Sequence, residues 1–373
     1  MHAEDLYRRL QEHMDRGTAP FPTTESGVEL RILKRLFTEE QARIALELSA
    51  IPEPIETIAK RLPALTHEEL RLKLDSMAEY GLILAIPVED RKRYAKLPFI
   101  VGIYERQLGR LTPELEREVR AYQAEAFGAA MYAQKTPQMR TVPVGQSVAV
   151  DRNVATYEDI RSYASRHPGP FAAMPCICRK GKELLEDACH QTQTRENCLT
   201  FGIAAKGMVD MGPARFITRE EMIGLLDAAD REGLVLQPEN TESPLFVCCC
   251  CGCCCGVLTT VKKFPKPAQY FSTNYHAEAD EATCEGCGTC LSRCQMDALA
   301  MDNGRSKVDR DRCIGCGLCV TTCPPGSLRL ERCEKEKTPP KDTRALYLQL
   351  LRDRYGPVKM AAAMTGHMLG HKF

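Results

Sequence analysis

Residues 280–324 read DEATCEGCGTCLSRCQMDALAMDNGRSKVDRDRCIGCGLCVTTCP. Cys284, Cys287, Cys290 and Cys294 follow the spacing C-x2-C-x2-C-x3-C, and Cys313, Cys316, Cys319 and Cys323 repeat it 29 residues later. The same offset aligns Asp280 with Asp309 and Leu299 with Leu328, the mark of a duplicated supersecondary unit. Gaps of two residues let a tight loop aim three thiolates at three corners of one cube, so the fourth must come from elsewhere. Gly286, Gly288, Gly315 and Gly317 fall among these cysteines at matching places. With no side chain there, backbone N–H groups can approach sulfur.

In two-cluster iron–sulfur units the fourth cysteine of each run ligates the other cluster. One [4Fe–4S] cluster is then expected on Cys284, Cys287, Cys290 and Cys323, and a second on Cys313, Cys316, Cys319 and Cys294. The segment resembles the bacterial two-[4Fe–4S] ferredoxin family over about 55 residues. Gln295 departs from the proline that usually follows the fourth cysteine there, whereas Pro324 keeps it. That loosens a turn and removes no ligand. Two four-cysteine zinc sites are the competing reading, but zinc ligands usually come in pairs rather than in runs of four. The resemblance implies one-electron transfer.

Twelve further cysteines complete the 20 in the chain, and none precedes Cys176. Cys176, Cys178, Cys189 and Cys198 suffice for one more site, and a third iron–sulfur cluster or a metal site is expected in this middle domain. Zinc and simple buried thiols are its alternatives. His190 beside Cys189 reads as structural. Residues 248–255 place seven thiols in eight positions around Gly252: Cys248, Cys249, Cys250, Cys251, Cys253, Cys254 and Cys255. Successive side chains on a strand face opposite ways, so one site cannot use them all. A turn at Gly252 gives them to one site, splits them between two, or completes the site begun by Cys176 and Cys178. Of this run, Cys248, Cys250, Cys251, Cys253, Cys254 and Cys255 are the candidate ligands, and Cys333 is a structural or spare thiol. Seven metal-free thiols in a row would invite oxidation.

The expected architecture is α+β and multidomain. Residues 1–110 read as a winged-helix-like helical domain, 111–275 as a helical linker and Cys-rich domain, 276–333 as the dicluster ferredoxin-like domain, and 334–373 as a linker and C-terminal helix. Thr38, followed by Glu39 and Glu40, and Thr66, followed by Glu69, each start a helix. Another helix covers 55–62. Residues 82–88 and 94–97 read as two strands around a charged turn at 89–93. A long helix is expected over 113–133 with Leu115, Val119, Tyr122 and Ala126 on one face, and others over 218–233 and 343–354. The whole order is similar to a family of anaerobe proteins known as 4Fe-4S dicluster-domain proteins. They carry a winged-helix-like region, a PCxCR segment (here Pro175–Arg179), a CCGCCCG segment (here Cys250–Gly256) and a terminal ferredoxin. Cys249 is additional to that pattern. The resemblance implies electron transfer and names no substrate.

Charge argues against a nucleic-acid binder. The chain has 50 basic and 50 acidic residues, and residues 1–110 hold 17 bases against 18 acids. The helix in the recognition position has four acids (Glu68, Glu69, Asp75, Glu79) against Arg71 and Lys73, whereas DNA affinity comes largely from phosphate neutralisation. Residues 1–10 lack a signal-peptide apolar core, and 360–369 is too short and broken to span a membrane. A soluble, cytoplasmic protein is expected, in a reducing compartment where clustered cysteines bind metal. Neither G-x-x-x-x-G-K-[ST] nor G-x-G-x-x-G occurs, and His367 and His371 are not taken as ligands. The chain therefore reads as an iron–sulfur carrier between protein electron donors and acceptors in anaerobic metabolism. It would act alone, as a homodimer or within a larger redox complex. A redox-sensing regulator, or a reductase with its own site at 248–255, are the rival readings.

Overall fold

Thr66 starts the helix His67–Glu79 by a reciprocal cap: its hydroxyl accepts from the Glu69 N–H, and the Glu69 carboxylate accepts from the Thr66 N–H at 2.9 Å. Thr38 does the same with Gln41 for Glu39–Ala45. The computed structural model describes residues 3–145, 147, 156–368 and 372; His371, Leu369, Met1, His2 and the His367 side chain lie outside them. The chain divides into two units, Met1–Met131 with Tyr347–Phe373, and Tyr132–Leu346.

In the first unit, Glu53–Pro54 (β1), Ile83–Val88 (β2) and Arg91–Lys96 (β3) form an antiparallel sheet in the order β1-β3-β2. The two-residue β1 escapes a periodicity reading, and the helix after it stops at Ala59. The β2–β3 turn is tighter than expected. It is Glu89–Asp90, with Glu89 at φ 54°, so Arg91 to Arg93 already belong to β3. Leu70, Leu74 and Met77 of the capped helix are buried. The long helix is Pro113–Tyr122 followed by a π-helical turn at Gln123–Phe127 and then Gly128–Tyr132. The extra residue of that turn rotates the face by one position, so Phe127 rather than Ala126 is buried. Thr343–Met368 continues past Arg354 across a break at Gly356, whose φ of 75° precedes Pro357.

A buried polar pair makes this unit acid-sensitive. The Lys96 ammonium donates to the His13 carbonyl at 2.9 Å, and His13 Nε2 bonds the Leu48 carbonyl at 2.8 Å. Burial, then the Lys96 charge, pushes His13 down to about 3. Between that value and the ordinary histidine range near 6.5, an unfolded chain takes up a proton the folded one refuses. Stability contributed by neutral His13 is complete above about pH 6.5 and is lost as pH falls toward 3, at roughly 1.4 kcal/mol per pH unit. Thermal melts across that window should show the fall, and His13→Gln should flatten it.

The second unit holds a five-stranded antiparallel sheet that no local pattern announces. Phe171–Met174 (β4), Cys198–Phe201 (β5), Arg215–Ile217 (β6), Val235–Pro238 (β7) and Phe246–Cys250 (β8) lie in the order β6-β4-β5-β8-β7. The helix Arg219–Arg231, capped by Thr218, buries Met222, Leu226 and Ala229. Four more strands follow: Tyr275–Ala279 (β9), Leu299–Asp302 (β10), Arg305–Val308 (β11) and Leu328–Arg332 (β12). β9 pairs with β12 and β10 with β11, both antiparallel. Asn303 and Gly304, at φ 50° and 75°, make the tight turn between β10 and β11. Under the 29-residue offset β9 corresponds to β11 and β10 to β12. Each ladder is thus the other's copy with the repeats exchanged, an approximate two-fold. Among the described residues no helix is long and apolar enough to cross a membrane.

Candidate metal centres

The exchange symmetry extends to the cysteines. The Ala277 N–H donates to Cys313 Sγ at 3.2 Å, and the Ser306 N–H, 29 residues on, donates to Cys284 Sγ at 3.4 Å. Asp280 N–H reaches the Ser327 carbonyl, and Asp309 N–H reaches the Ala298 carbonyl, both at 2.8 Å. Gly286 and Gly315, at φ 73° and 65°, sit against the carbonyl oxygens of Gly304 and Tyr275, where a Cβ would overlap. Each half of the duplication therefore builds the cradle of the other.

Two cavities result. Cys284, Cys287, Cys290 and Cys323 line one, with Ser306 and Leu328. Cys294, Cys313, Cys316 and Cys319 line the other, with Ala277 and Leu318. The two lie at matching places in the two repeats, as a duplication requires. The surroundings differ. Cys287 is exposed, and its thiol is lowered by hydrogen bonds to the Thr289 hydroxyl and N–H. Burial instead raises Cys313 and pushes Cys316 up to about 12. A metal that binds thiolates offsets that penalty, so four converging thiols with N–H donors fit a cluster in each cavity.

In the middle of the chain the cysteines sort differently from the grouping that sequence order suggests. Cys189 leaves Cys176, Cys178 and Cys198 and joins Cys251, Cys253 and Cys254, whose sulfurs all lie within 4.8 Å of one another. The separations are 3.7 Å for Cys189–Cys251, 3.7 Å for Cys189–Cys253 and 3.6 Å for Cys253–Cys254. Four sulfurs at about 2.3 Å around one tetrahedral ion lie about 3.8 Å apart, so this group has the dimensions of a single-ion site. Hydrogen bonding from Cys254, with help from the Arg179 charge against the cost of burial, draws the Cys251 thiol down to about 4. Among the described residues no other set of three or more ligand atoms converges so closely. The histidine beside Cys189 points away: the His190 side chain is 80% exposed and faces Asp187 at 3.6 Å.

The remaining thiols gather at one end of the sheet. Met174 of β4 lies beside Cys198 of β5, and Cys198 beside Cys248 of β8. Cys176 follows β4 by two residues at the same end. Cys248 neighbours Cys198 and Cys250, Cys250 neighbours Cys255, Cys255 neighbours Cys178, and Cys178 neighbours Cys176. Strand alternation points Cys249 to the other face, where burial pushes its thiol up to about 12. Cys333 lies apart, 3.9 Å from His276 Nδ1.

Two residues that contact these cysteine segments have roles no spacing rule announces. Arg179, closing the PCxCR segment, is only 2% exposed and donates to the Cys249 carbonyl at 3.0 Å. Burial works against its charge, and the thiols of Cys176, Cys251, Cys189 and Cys250 around it more than restore it. Gln295 is visible in the sequence as a departure, though its purpose is not. Its Oε1 accepts from the Gly252 N–H at 2.7 Å, and its own carbonyl leaves no room for a Cβ on Gly252. The residue after Cys294 thus clasps the turn between Cys251 and Cys253.

Residues 277–330 match the family model of the 4Fe-4S dicluster domain. Comparison with curated proteins and with solved structures gives no match. The match supports iron–sulfur clusters and, at the level of class, iron–sulfur electron transfer.

Proposed function

We propose that the chain relays single electrons between protein partners in anaerobic metabolism through two [4Fe–4S] clusters. One is held by Cys284, Cys287, Cys290 and Cys323, the other by Cys313, Cys316, Cys319 and Cys294. The observation that carries this reading is the pair of cavities, each lined by three cysteines of one repeat and the fourth of the other. Bound clusters supply the one-electron chemistry. The chain supplies thiolates, N–H donors to sulfur and the apolar walls that exclude water. The exposed Cys287 edge is the side open to a partner, and the Cys294–Gln295–Gly252 contact leads toward the middle of the chain. A further metal site there is held by Cys189, Cys251, Cys253 and Cys254.

The helices and β1-β3-β2 sheet of the first unit serve, in this reading, as a winged-helix-like module that docks a protein or a second copy of the chain. Charge pairing favours that over DNA. Arg71 pairs with Asp75 at 3.3 Å, Lys73 with Glu40 at 2.7 Å, Lys92 with Asp75 at 2.8 Å and Arg91 with Glu56 at 3.1 Å. These four cations, which a duplex would need, already have carboxylate partners.

Protein purified without oxygen should be brown, contain at least about eight irons and eight sulfides per chain, and give a reduced-cluster EPR signal. A colourless preparation, or zinc in place of iron at the eight ferredoxin cysteines, would end this reading.

A further inference from the structure

We propose that Cys176, Cys178, Cys198, Cys248, Cys250 and Cys255 hold a second, polynuclear iron–sulfur centre in the middle of the chain, separate from the single-ion site at Cys189. It goes beyond the two-cluster relay and rests on that reading for the identity of its metal, iron rather than zinc.

Three separate segments bring these thiols together. The helix Ile177–Leu184 that follows β4 supplies Cys178 in its first turn and Cys176 as its N-cap. The start of β5 supplies Cys198, in register with Cys248. The end of β8 and the turn beyond it supply Cys248, Cys250 and Cys255. They neighbour one another in sequence along a row, and no three of them converge on a common point as the Cys189 group does. A tetrahedral ion has four positions, so six thiolates exceed what one zinc can take. Neighbours in the row are nonetheless close enough to share an ion. Two or more metals in line, with adjacent thiolates on common ions, is the arrangement that uses both facts.

Arg179 is an independent witness. Its Nε and Nη1 are buried and have no hydrogen-bond partner, and it lies among Cys176 and Cys250 of the row and Cys189 and Cys251 of the tetrahedral group. Burying guanidinium N–H groups unpaired is costly unless they face negative charge. Apolar packing of neutral thiols gives no reason to place a cation there. An anionic metal–thiolate centre on either side does. Iron rather than zinc follows from the neighbouring ferredoxin unit, whose filling already requires iron and sulfide to be delivered to this polypeptide.

The test counts iron, zinc and acid-labile sulfide in the full chain purified without oxygen. It compares wild type with Cys189→Ala and with the double variant Cys248→Ala/Cys255→Ala. Wild type should exceed by two or more irons, with extra sulfide, the nine or so metal ions of two cubanes and one tetrahedral site. The double variant should lose that excess and keep the rest, whereas Cys189→Ala should lose one ion. Nine or fewer ions in wild type, an excess of zinc without sulfide, or loss of one and the same ion in both variants would overturn the proposal. The wild-type count decides even if the double variant does not fold. The ferredoxin EPR signal is followed in parallel. Its absence from wild type would refute the relay and leave the differences between variants to judge this centre.

Discussion

Alanine at Cys294 and alanine at Cys316 are expected to remove the same cluster, although the two residues belong to different repeats. Each single variant should lose about four irons and four sulfides, and the double variant Cys294→Ala/Cys316→Ala no more than either alone. Cys294→Ala/Cys287→Ala, which combines two residues of one repeat, should instead lose about eight. Residues acting on one site give non-additive losses, and residues on separate sites give additive ones. The expectation follows from the cavities, since Cys294 lines the one that also contains Cys313, Cys316 and Cys319. Metal and sulfide counts with EPR on the reduced protein provide the readout. If Cys294→Ala/Cys287→Ala lost only about four irons, each run would fill its own cluster and the crossed arrangement would be wrong.

Gly252→Ala should damage the middle of the chain without removing a single thiol. The new methyl meets the Gln295 carbonyl oxygen, which is backbone and cannot swing aside. Overpacking of this kind costs about 1–3 kcal/mol, and here it also breaks the Gly252 N–H bond to Gln295 Oε1. Cys251 and Cys253 lie on either side of the displaced residue. The variant should therefore lose metal from the Cys189 group and melt lower. Gln295→Ala is the informative contrast. It removes one acceptor, at a cost of about 1–3 kcal/mol for the orphaned N–H, and should leave every metal in place. Wild-type metal content and melting temperature in Gly252→Ala would show that the clasp does not position the turn.

The features legible in the sequence are those whose geometry is local. A run of three cysteines at two-residue gaps specifies its own loop, and duplication at a fixed offset specifies the partner, so spacing alone points to the 4Fe-4S dicluster domain. The capped helices at Thr38 and Thr66 are equally local. The middle of the chain is opaque because its order is made by distant pairing. Cys198 meets Cys248 across strands 50 positions apart in sequence, and strands of three to five residues carry too little periodicity to be placed. That is why sequence order groups Cys189 with its neighbours rather than with Cys251, Cys253 and Cys254. Phe127 escapes for a different reason, since a single extra residue in a helical turn leaves no compositional trace. Gln295 shows the converse. A break from a familiar pattern is legible, but what it touches is not.

The pairing of β9 with β12 has a consequence for how the molecule is made. When the ribosome has produced Tyr275–Ala279, the strand that completes that ladder lies some fifty residues ahead. The same is true of the carbonyl of Ser327 that receives Asp280. No half of this unit can mature while the rest is still being translated. The nascent segment must remain open, with its thiols reduced and accessible to the assembly machinery, until the last strand has left the exit tunnel. Ribosome-stalled chains ending before residue 323 should accordingly hold no cluster at the eight cysteines of this unit.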